Sequence, residues 1–474
     1  MMNSILNEKK ILPIKAGDIC NLLEGSSLHG VDPDSVFSSV AVSDNMEITT
    51  GCLFIPYQET DDFMRSAVKT GAAAVMTDHA ICDIPYILVN DLTQAVYCLC
   101  ELFYKAINLP SIVICGSTGK TTTKRFIKSV LKQNISVFSQ DGNYNTLQAL
   151  CCSLQQVSVG TSIIVQEIDE KRIHNTLNCS RILKPSIVVV TNIGDSHIGF
   201  YGGKEGLIHS FLGIEEGLSE ESITILNGDD EDSMKAGFKG NIQTVGINNQ
   251  HANCYAFNIV NKQSGMVFTL CYEGKKHRVK LSAQGEHNAY NAMMAFLIGK
   301  QLGINDKDIL KGLKSYKDSG FRQNSVCYGN VLVYADCYNA SAKSIEYAIK
   351  CFCDITKRRG KKVAVIGDIA EIEGYEEEIY RRIANAIDAS QIDQLITYGK
   401  ESRRIINYLT SENIEREHAE DLLSLNSLLE NQKRRGRKNY LFKASRSMHL
   451  ETSVQEVFPE HYKIMIQQEK QYRS

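Results

Sequence analysis

The run from Ile112 to Thr123 joins an apolar strand to a glycine-containing turn and the beginning of a helix, and it reads IVICGSTGKTTT. Glycines in such a turn let backbone N–H groups approach phosphate oxygens, and the helix N-terminus adds roughly half a positive charge. Lys120 supplies a full positive charge, and the Thr121 hydroxyl can reach a magnesium ion. The run therefore predicts a strand, a loop and a helix that together bind the phosphates of ATP or GTP.

This loop is a shortened variant of the common phosphate-binding pattern. The usual eight-residue loop has a glycine five positions before Gly119, and here Ile114 occupies that position. An ordinary strand–turn–helix with a surface lysine is the alternative interpretation. The residues predicted to contact the nucleotide are Gly116, Ser117, Thr118, Gly119, Lys120, Thr121 and Thr122.

Composition argues against several classes of protein. The chain has 474 residues, of which 43% are hydrophobic, so it can bury the cores of about two to four domains. Its formal net charge of −3 gives no field for nucleic acid or an anionic membrane. Its apolar stretches are shorter than the roughly 20 residues of a spanning helix, and the early charges at 8–10 do not fit a signal peptide. We therefore expect a cytoplasmic monomer that binds small molecules, with neither nucleic acid nor membrane insertion.

The fifteen cysteines are predicted to be reduced thiols in the core. Their number is odd, they form no Cys-x-x-Cys pair, and many lie in apolar runs such as 98–100 and 351–353. This pattern favours neither disulfides nor zinc.

Alternating apolar runs and helical patterns predict an α/β protein of three domains. Residues 1–108 are interpreted as a small N-terminal α/β domain and residues 109–317 as the central domain that carries the phosphate loop. Buried runs such as 162–165 and 186–190 predict a mostly parallel sheet for this central domain, like that of P-loop ATPases. The alternation restarts in residues 318–474, which predict a Rossmann-like domain.

Two polar residues follow neighbouring strands of the predicted central sheet. Glu167 ends one strand, and His197 lies shortly after the next. Ligands of such sheets bind at the carboxyl ends of the strands, so both residues are expected to face the crevice of the phosphate loop. The Glu167 carboxylate is the type of oxygen ligand that magnesium prefers. His197 could equally be a base, a hydrogen-bond donor, a cap or a ligand.

Further motifs follow in order along the chain. They are GEHNAYNA at 285–292, GFR at 320–322, DCYNA at 336–340, GD at 367–368 and KASRSM at 443–448. Together with the phosphate loop, Glu167 and the TNIG-x-x-H stretch that ends at His197, this series resembles the Mur ligases over roughly residues 108 to 455. So many ordered motifs rarely coincide by chance.

The resemblance implies an ATP-dependent amide ligase. In that family the γ-phosphoryl group of ATP passes to a substrate carboxylate, and an amine then displaces phosphate from the acyl phosphate. The resemblance implies catalytic roles for Lys120, Glu167 and His197, with magnesium held by Thr121, Glu167 and His197. It also implies that the C-terminal domain closes onto the central one over the reacting groups.

The resemblance also assigns binding residues. Asn288 would contact adenine, Arg322 would be a hinge arginine that reaches the nucleotide, and Asp336 would bind ribose. KASRSM and the Asn-x-Asn pair at 143–145 look like one branch of the family, which adds D-Ala-D-Ala to UDP-N-acetylmuramoyl-tripeptide in peptidoglycan precursor synthesis. The N-terminal domain would then hold the UDP-type substrate. The residues implied to contact substrate are Asn143, Asn145, Asn339, Lys443 and Ser445.

The chain departs from the family pattern at two places. The family usually carries a lysine, carbamylated and supporting a second metal, a dozen or so residues after the motif histidine, and residues 205–234 contain no lysine. Either Glu205 or His209 would replace it, or the second metal would be bound more weakly, or catalysis would be slow. The signatures that hold the UDP-sugar are represented only by VSD at 42–44 and DDF at 61–63.

Other interpretations stay open at this point. Asn288 and Asn291 could cap a helix, and Asp336 could be a turn residue. The departures favour, as a rival function, a diverged ligase that activates another carboxylate. A nucleotide-binding scaffold without turnover is the third alternative.

Overall fold

The computed structural model describes residues 13–42, 48–56, 60–140, 142, 144–170, 174–317, 321–357, 359–436 and 439–473. Within them lie three large β-sheets with their helices, and a short two-stranded sheet near the beginning. The predicted fold class is confirmed: α/β throughout, a mostly parallel central sheet and a Rossmann-like third sheet. The domain boundaries placed after residues 108 and 317 stay predictions.

The first part of the chain contributes the following elements: β1 (Ile14–Lys15), α1 (Ala16–Leu22), β2 (Ser27–His29), β3 (Val36–Phe37), β4 (Val40–Ala41), β5 (Leu53–Phe54), α2 (Asp61–Thr70), β6 (Ala74–Thr77), β7 (Tyr86–Leu88) and α3 (Leu92–Ile107). Its five-stranded sheet has the order β2-β7-β6-β5-β4, and β2 at the edge is antiparallel to its neighbour. β1 pairs with β3 in the small separate sheet.

The central part contributes the following elements: β8 (Ser111–Cys115), α4 (Lys120–Leu131), β9 (Val137–Phe138), α5 (Leu147–Leu154), β10 (Ile163–Glu167), α6 (Asn175–Leu183), β11 (Ile187–Val190), α7 (Lys204–Leu212), a 3₁₀ turn (Gly213–Gly217), β12 (Ile223–Asn227), α8 (Glu231–Lys235), β13 (Asn241–Gly246), β14 (Cys254–Lys262), β15 (Gly265–Tyr272), β16 (Lys275–Leu281), α9 (His287–Gln301) and α10 (Asp306–Ser315). The nine strands have the order β16-β15-β14-β13-β12-β11-β8-β10-β9. Pairing is parallel from β9 to β14 and antiparallel only in the β14-β15-β16 meander.

The third part contributes the following elements: β17 (Asn324–Tyr328), β18 (Val331–Asp336), α11 (Ala342–Thr356), β19 (Lys362–Gly367), α12 (Glu376–Asp388), β20 (Gln394–Tyr398), α13 (Arg403–Tyr408), β21 (Glu415–Ala419), α14 (Leu422–Arg434), β22 (Asn439–Lys443), a 3₁₀ turn (Arg446–Met448), α15 (Glu451–Val457) and α16 (Pro459–Arg473). The strand order is β17-β18-β22-β19-β20-β21, with β17 as the antiparallel edge.

The middle of the central sheet is buried on both faces, which explains its runs of valine and isoleucine. Ile112 and Ile114 face the core beneath α4 and α9, whereas Val113 faces the opposite core. That second core also contains Leu99 of α3 and Leu150 of α5, so the first and central parts of the chain share it. The carboxyl ends of β8, β10 and β11 consequently lie together at one edge, which is where the candidate site forms.

Among the described residues, no helix combines the length and apolarity needed to cross a bilayer. Most of the fifteen cysteines are buried, as their positions in apolar runs predicted.

Two leucines of α14 provide a matched test of the packing in the third part of the chain. Leu429 is fully buried, whereas Leu423 in the same helix is 79% exposed. We expect Leu429→Ala to lower the free energy of unfolding by about 2–5 kcal/mol, because it removes buried methyl groups and leaves a cavity. Leu423→Ala should change it by about 0.5 kcal/mol or less. Urea unfolding followed by circular dichroism measures both, and equal midpoints for the two variants would contradict the assigned packing.

Candidate active site

A cavity of about 730 Å³ lies at the carboxyl ends of the central strands, against the loop between β8 and α4. All three parts of the chain line it: Val42 and Phe63 from the first, the phosphate loop from the second, and Arg322 and Lys443 from the third. Ser117, Thr118, Gly119, Lys120, Thr121 and Thr122 all belong to the lining. A site at the junction of the three parts can bind a nucleotide and a second substrate together.

The glycines of the phosphate loop are required by the neighbouring strand end. Gly116 has a φ of +125°, and a Cβ there would lie 2.2 Å from the Thr191 hydroxyl oxygen. The Thr191 hydroxyl donates to the carbonyl oxygen of Thr118 at 2.6 Å. Gly119 has a φ of +86°, and its Cβ would lie 3.2 Å from Oδ1 of Asn291. The shortened loop is therefore held between β11 and α9, with Gly116 behind the cavity wall.

Lys120 is a buried residue of the site, so the alternative of a surface lysine is wrong. Only 9% of it is exposed, and its Nζ donates to the Gly116 carbonyl oxygen at 2.7 Å. Nζ also donates to Oε2 of Glu170 at 2.9 Å and to Oδ1 of Asp169 at 3.3 Å. Burial opposes the charge on Lys120, but Glu170, Asp169 and Glu167 outweigh burial and raise the lysine pKa. Lys120 therefore stays charged.

Thr121, Glu167 and Asn145 meet at the end of β10. The Thr121 hydroxyl donates to Oε2 of Glu167 at 2.9 Å, and the Asn145 amide donates to Oε1 at 3.2 Å. Adjacent ligands of an octahedral magnesium ion lie about 2.9 Å apart, since each bond is about 2.0–2.1 Å. The Thr121 and Glu167 oxygens therefore fit the magnesium predicted from the sequence. Asn143, predicted to contact substrate, lies outside the described residues.

The charge of Glu167 is retained in spite of its burial. Burial raises its pKa, but Lys124, Lys120 and Arg322 outweigh that effect and lower it. Lys124 lies 3.3 Å from Oε2 of Glu167 and is itself only 4% exposed. An ionised Glu167 is the form that binds a cation.

His197 lies against two carboxylates that the sequence analysis did not identify. Asp169, Glu170 and His197 offer ligand atoms that all lie within 4.8 Å of one another. Burial opposes ionisation of Asp169, but Lys120 and His197 lower its pKa to about 2. Burial raises the pKa of Glu170 to about 7, against the opposing effect of Lys120. The signal was present in the sequence, because three of the four residues 167–170 are acidic and follow a buried strand directly.

Residues predicted from the C-terminal motifs supply the cavity lining that comes from the third part of the chain. The Arg322 guanidinium stacks on Tyr338, with its Cζ 3.6 Å from the ring centroid. Lys443 forms an ion pair with Asp336 at 2.9 Å and donates to the Asn339 carbonyl oxygen at 2.6 Å. Asp336 ends strand β18, so it is not a turn residue. All five residues line the cavity.

Ser445 also lines this wall and accepts a hydrogen bond from the backbone N–H of Ala370 at 2.9 Å. Asp368 does not reach the lining, because its carboxylate accepts the backbone N–H groups of residues 400–402. The Gly367-Asp368 motif thus shapes a loop.

Asn288 is placed differently from the prediction of a direct nucleotide contact. It is fully buried outside the cavity lining, and its amide donates to the Gln284 carbonyl oxygen at 2.7 Å and to Oε1 of Gln323 at 2.8 Å. Gln323 belongs to the lining. The capping alternative is also wrong for Asn288, because Glu286 occupies the N-cap position. Asn291 instead links helices α9 and α4, since its Oδ1 accepts from the Thr123 hydroxyl at 3.0 Å.

Neither proposed replacement for the family lysine reaches the site. Glu205 and His209 are both exposed on α7, and neither lines the cavity. The neighbouring Lys204 forms ion pairs with Asp195 at 3.3 Å and Asp232 at 2.9 Å. These three side chains therefore lie outside the cavity lining.

The first part of the chain presents an apolar wall. Asp61 lies 3.3 Å from both Arg65 and His79, so its carboxylate is already paired. Val42 and Phe63 provide the lining instead.

Two family models match the chain. One is the Mur ligase middle domain, over residues 114–299, and the other is the Mur ligase glutamate ligase domain, over residues 322–439. Together the two matches cover more than half of the chain.

The chain is also similar to named relatives along most of its length. The UDP-N-acetylmuramoyl-tripeptide--D-alanyl-D-alanine ligase of Bacillus subtilis is 29% identical over 451 residues, which are 93% of this chain and 97% of that protein. The ligase of the same name from Escherichia coli is 25% identical over 410 residues, which are 83% of this chain and 88% of that protein.

Solved structures share the fold. MurF from Acinetobacter baumannii aligns with a TM-score of 0.83 at 22% identity, covering 95% of this chain and all of that one. The MurF ligase of Thermotoga maritima, solved in complex with ADP, aligns with a TM-score of 0.73 at 22% identity, covering 92% of this chain and 98% of that one.

Two glycines with positive φ test the loop assignment. Gly116→Ala forces a Cβ against Thr191, whereas Gly160 has a φ of +89° and no atom within 4 Å of its Cβ position. Each substitution strains the backbone by about 1–2 kcal/mol. We expect only Gly116→Ala to weaken ADP binding by about tenfold or more in calorimetry, because the added clash moves the loop amides. Equal ADP affinity in both variants would show that this loop is not the phosphate site.

Proposed function

The chain belongs to the Mur ligase family, and from that premise we propose that it joins D-alanyl-D-alanine to UDP-N-acetylmuramoyl-tripeptide with consumption of ATP. The substrate pair is taken from the names of the relatives, of which the Bacillus subtilis enzyme spans 93% of this chain. The reaction class is supported by the cavity, which brings Lys120, Glu167 and Arg322 to one enclosed place. That convergence is the observation on which the proposal depends.

The proposed reaction has two steps. A substrate carboxylate oxygen attacks the γ-phosphorus of ATP, ADP leaves, and an acyl phosphate is formed. The amine nitrogen then attacks the acyl carbon, phosphate departs with the C–O bond pair, and the nitrogen loses a proton as the amide forms. Both steps spread negative charge over phosphate oxygens, so positioned cations are the main requirement of the site.

The charged residues of the cavity meet that requirement. Lys120 of the phosphate loop and Arg322 from the third part of the chain line the same cavity. Thr121 and Glu167 would hold magnesium, which neutralises phosphate oxygens when bound. The pocket walls would orient the carboxylate and the amine for attack.

Contacts between the central and third parts enclose the site. Nη1 of Arg382 lies 2.6 Å from Oδ2 of Asp195, and Nδ1 of His197 contacts the Glu371 carboxylate. Such contacts keep water from an acyl phosphate, which would otherwise hydrolyse. The arrangement supports closure of the third part as the step that assembles the site.

The proposal is tested by measuring phosphate release from ATP and Mg²⁺ with UDP-N-acetylmuramoyl-tripeptide and D-Ala-D-Ala, each omitted in turn. We expect turnover only with both substrates, and a product whose mass equals their sum less one water. Phosphate release that continues when both substrates are omitted would contradict the proposed reaction.

A diverged ligase with another carboxylate substrate is the second candidate. It is favoured by the paired Asp61 and by the apolar Val42 and Phe63 in the first part. ATP turnover with D-Ala-D-Ala and a carboxylate lacking UDP would support it. ADP binding without turnover on any acid and amine would support the scaffold alternative instead.

Lys120→Ala tests the phosphate site. We expect turnover to fall at least about 100-fold, because the positive charge that the phosphate loop supplies is removed. Stability should also fall by about 3–5 kcal/mol, since Asp169 and Glu170 lose a buried partner. Lys132→Ala is the control, because Lys132 is exposed at the end of the same helix. Activity is measured below the melting temperature of each variant, and retained turnover in Lys120→Ala would exclude the assignment.

A further inference from the structure

We propose that Asp169, Glu170 and His197 form a divalent-cation site of this chain, separate from Thr121 and Glu167, in which Glu170 supplies the carboxylate for which the family uses a modified lysine. The inference rests on the proposed function for its role in catalysis. The site itself is argued from this cluster alone.

The donor atoms are close to the spacing that a cation requires. Ligand atoms of the three residues lie within 4.8 Å of one another. Opposite ligands of magnesium lie about 4 Å apart, because each bond is about 2.0–2.1 Å. Only one pair among three ligands can be opposite, and adjacent ligands lie about 2.9 Å apart, so the donor atoms move together by up to about 2 Å to share one ion. Side-chain rotation supplies a movement of that size.

Glu170 has an oxygen with no partner among the described residues. The residue is fully buried, Lys120 contacts its Oε2, and Oε1 has no hydrogen-bond partner. A buried carboxylate oxygen without a partner is unfavourable unless a ligand completes it. A cation on Oε1 provides that partner.

His197 is already oriented as a metal ligand. Its Nδ1 contacts the Glu371 carboxylate, and its Nε2 points towards Oδ1 of Asp169 at 3.9 Å. Histidines that bind metals almost always donate their other ring N–H to a carboxylate or carbonyl, which fixes the tautomer. The positive φ of His197, +61°, is part of the same fixed arrangement. Since Glu371 belongs to the third part of the chain, the site is complete only when that part contacts the central one.

A cation at this cluster would also change the electrostatic partners of Lys120. Lys120 is now bound to Asp169 and Glu170, which hold its charge away from a phosphate. A divalent cation on the same carboxylates competes with Lys120 for them. The lysine is then free to turn towards the nucleotide.

Manganese provides the test, in the full chain without nucleotide. Free Mn²⁺ is counted by electron paramagnetic resonance during titration of the wild type, Glu170→Gln and Glu205→Gln. We expect Glu170→Gln to weaken binding by about tenfold or more, while Glu205→Gln, exposed and outside the cavity, binds as the wild type does. Unchanged binding in Glu170→Gln, or no binding in the wild type, would overturn the proposal.

A second readout needs no variant. Manganese at this cluster has an imidazole nitrogen ligand, whereas manganese at Thr121 and Glu167 has oxygen ligands only. Electron spin echo modulation of the wild-type complex should therefore show coupling to nitrogen. Bound manganese without nitrogen coupling would overturn the assignment even if Glu170→Gln fails to fold.

The two proposals fail separately. Nitrogen-coupled manganese without ligase turnover leaves the cation site standing and removes the proposed function. Turnover on both substrates with unchanged metal binding in Glu170→Gln removes the cation site and leaves the function.

Discussion

The site depends on how the charge of one buried lysine is balanced. Lys120 lies between the carbonyl oxygen of its own loop and two carboxylates, and only 9% of it is exposed. A buried ammonium without partners would lose its proton, and buried carboxylates without a cation would gain one. Because Asp169 and Glu170 sit directly after β10, the loop, the strand end and the charges form one unit. Removing any member disturbs the others.

The same balance extends across the chain. Glu167 is held by Lys124 and Thr121, and His197 by Glu371 from the third part. Arg382 adds a contact to Asp195 on the neighbouring loop. Charged groups on one part of the protein thus have their ion-pair partners on another part. The contact between the parts and the ionisation of the site are therefore coupled. Any change in the contact between these parts would therefore alter the charge balance of the site.

The sequence predicted those features that local patterns encode. A buried strand, a Gly-x-x-Gly-Lys-Thr loop and a helix required no tertiary information, and Glu167 followed from its position at a strand end. The burial of Lys120 did not follow, because it depends on the turn after β10 folding over the loop. The partnership of His197 with Glu371 joins residues 174 positions apart, which no periodicity reports.

Asn288 shows a case in which the sequence motif was recognised but the contacts of its side chain were not. Its motif correctly marks the beginning of α9, but its amide is used by Gln284 and Gln323, and Gln323 faces the cavity in its place. A motif gives the identity of a residue without its rotamer. Glu205 and His209 fail for a related reason, since distance along the chain does not determine which face of α7 they occupy.

Glu170 carries its carboxylate without any chemical modification of the chain. A carbamylated lysine is completed after translation by dissolved carbon dioxide, and it forms only while the amine is unprotonated. A glutamate in the same role needs no modification after translation. The carboxylate of such a site is present whatever the carbon dioxide or bicarbonate content of the cell, so its assembly depends only on the bound cation and on the contact with the third part of the chain.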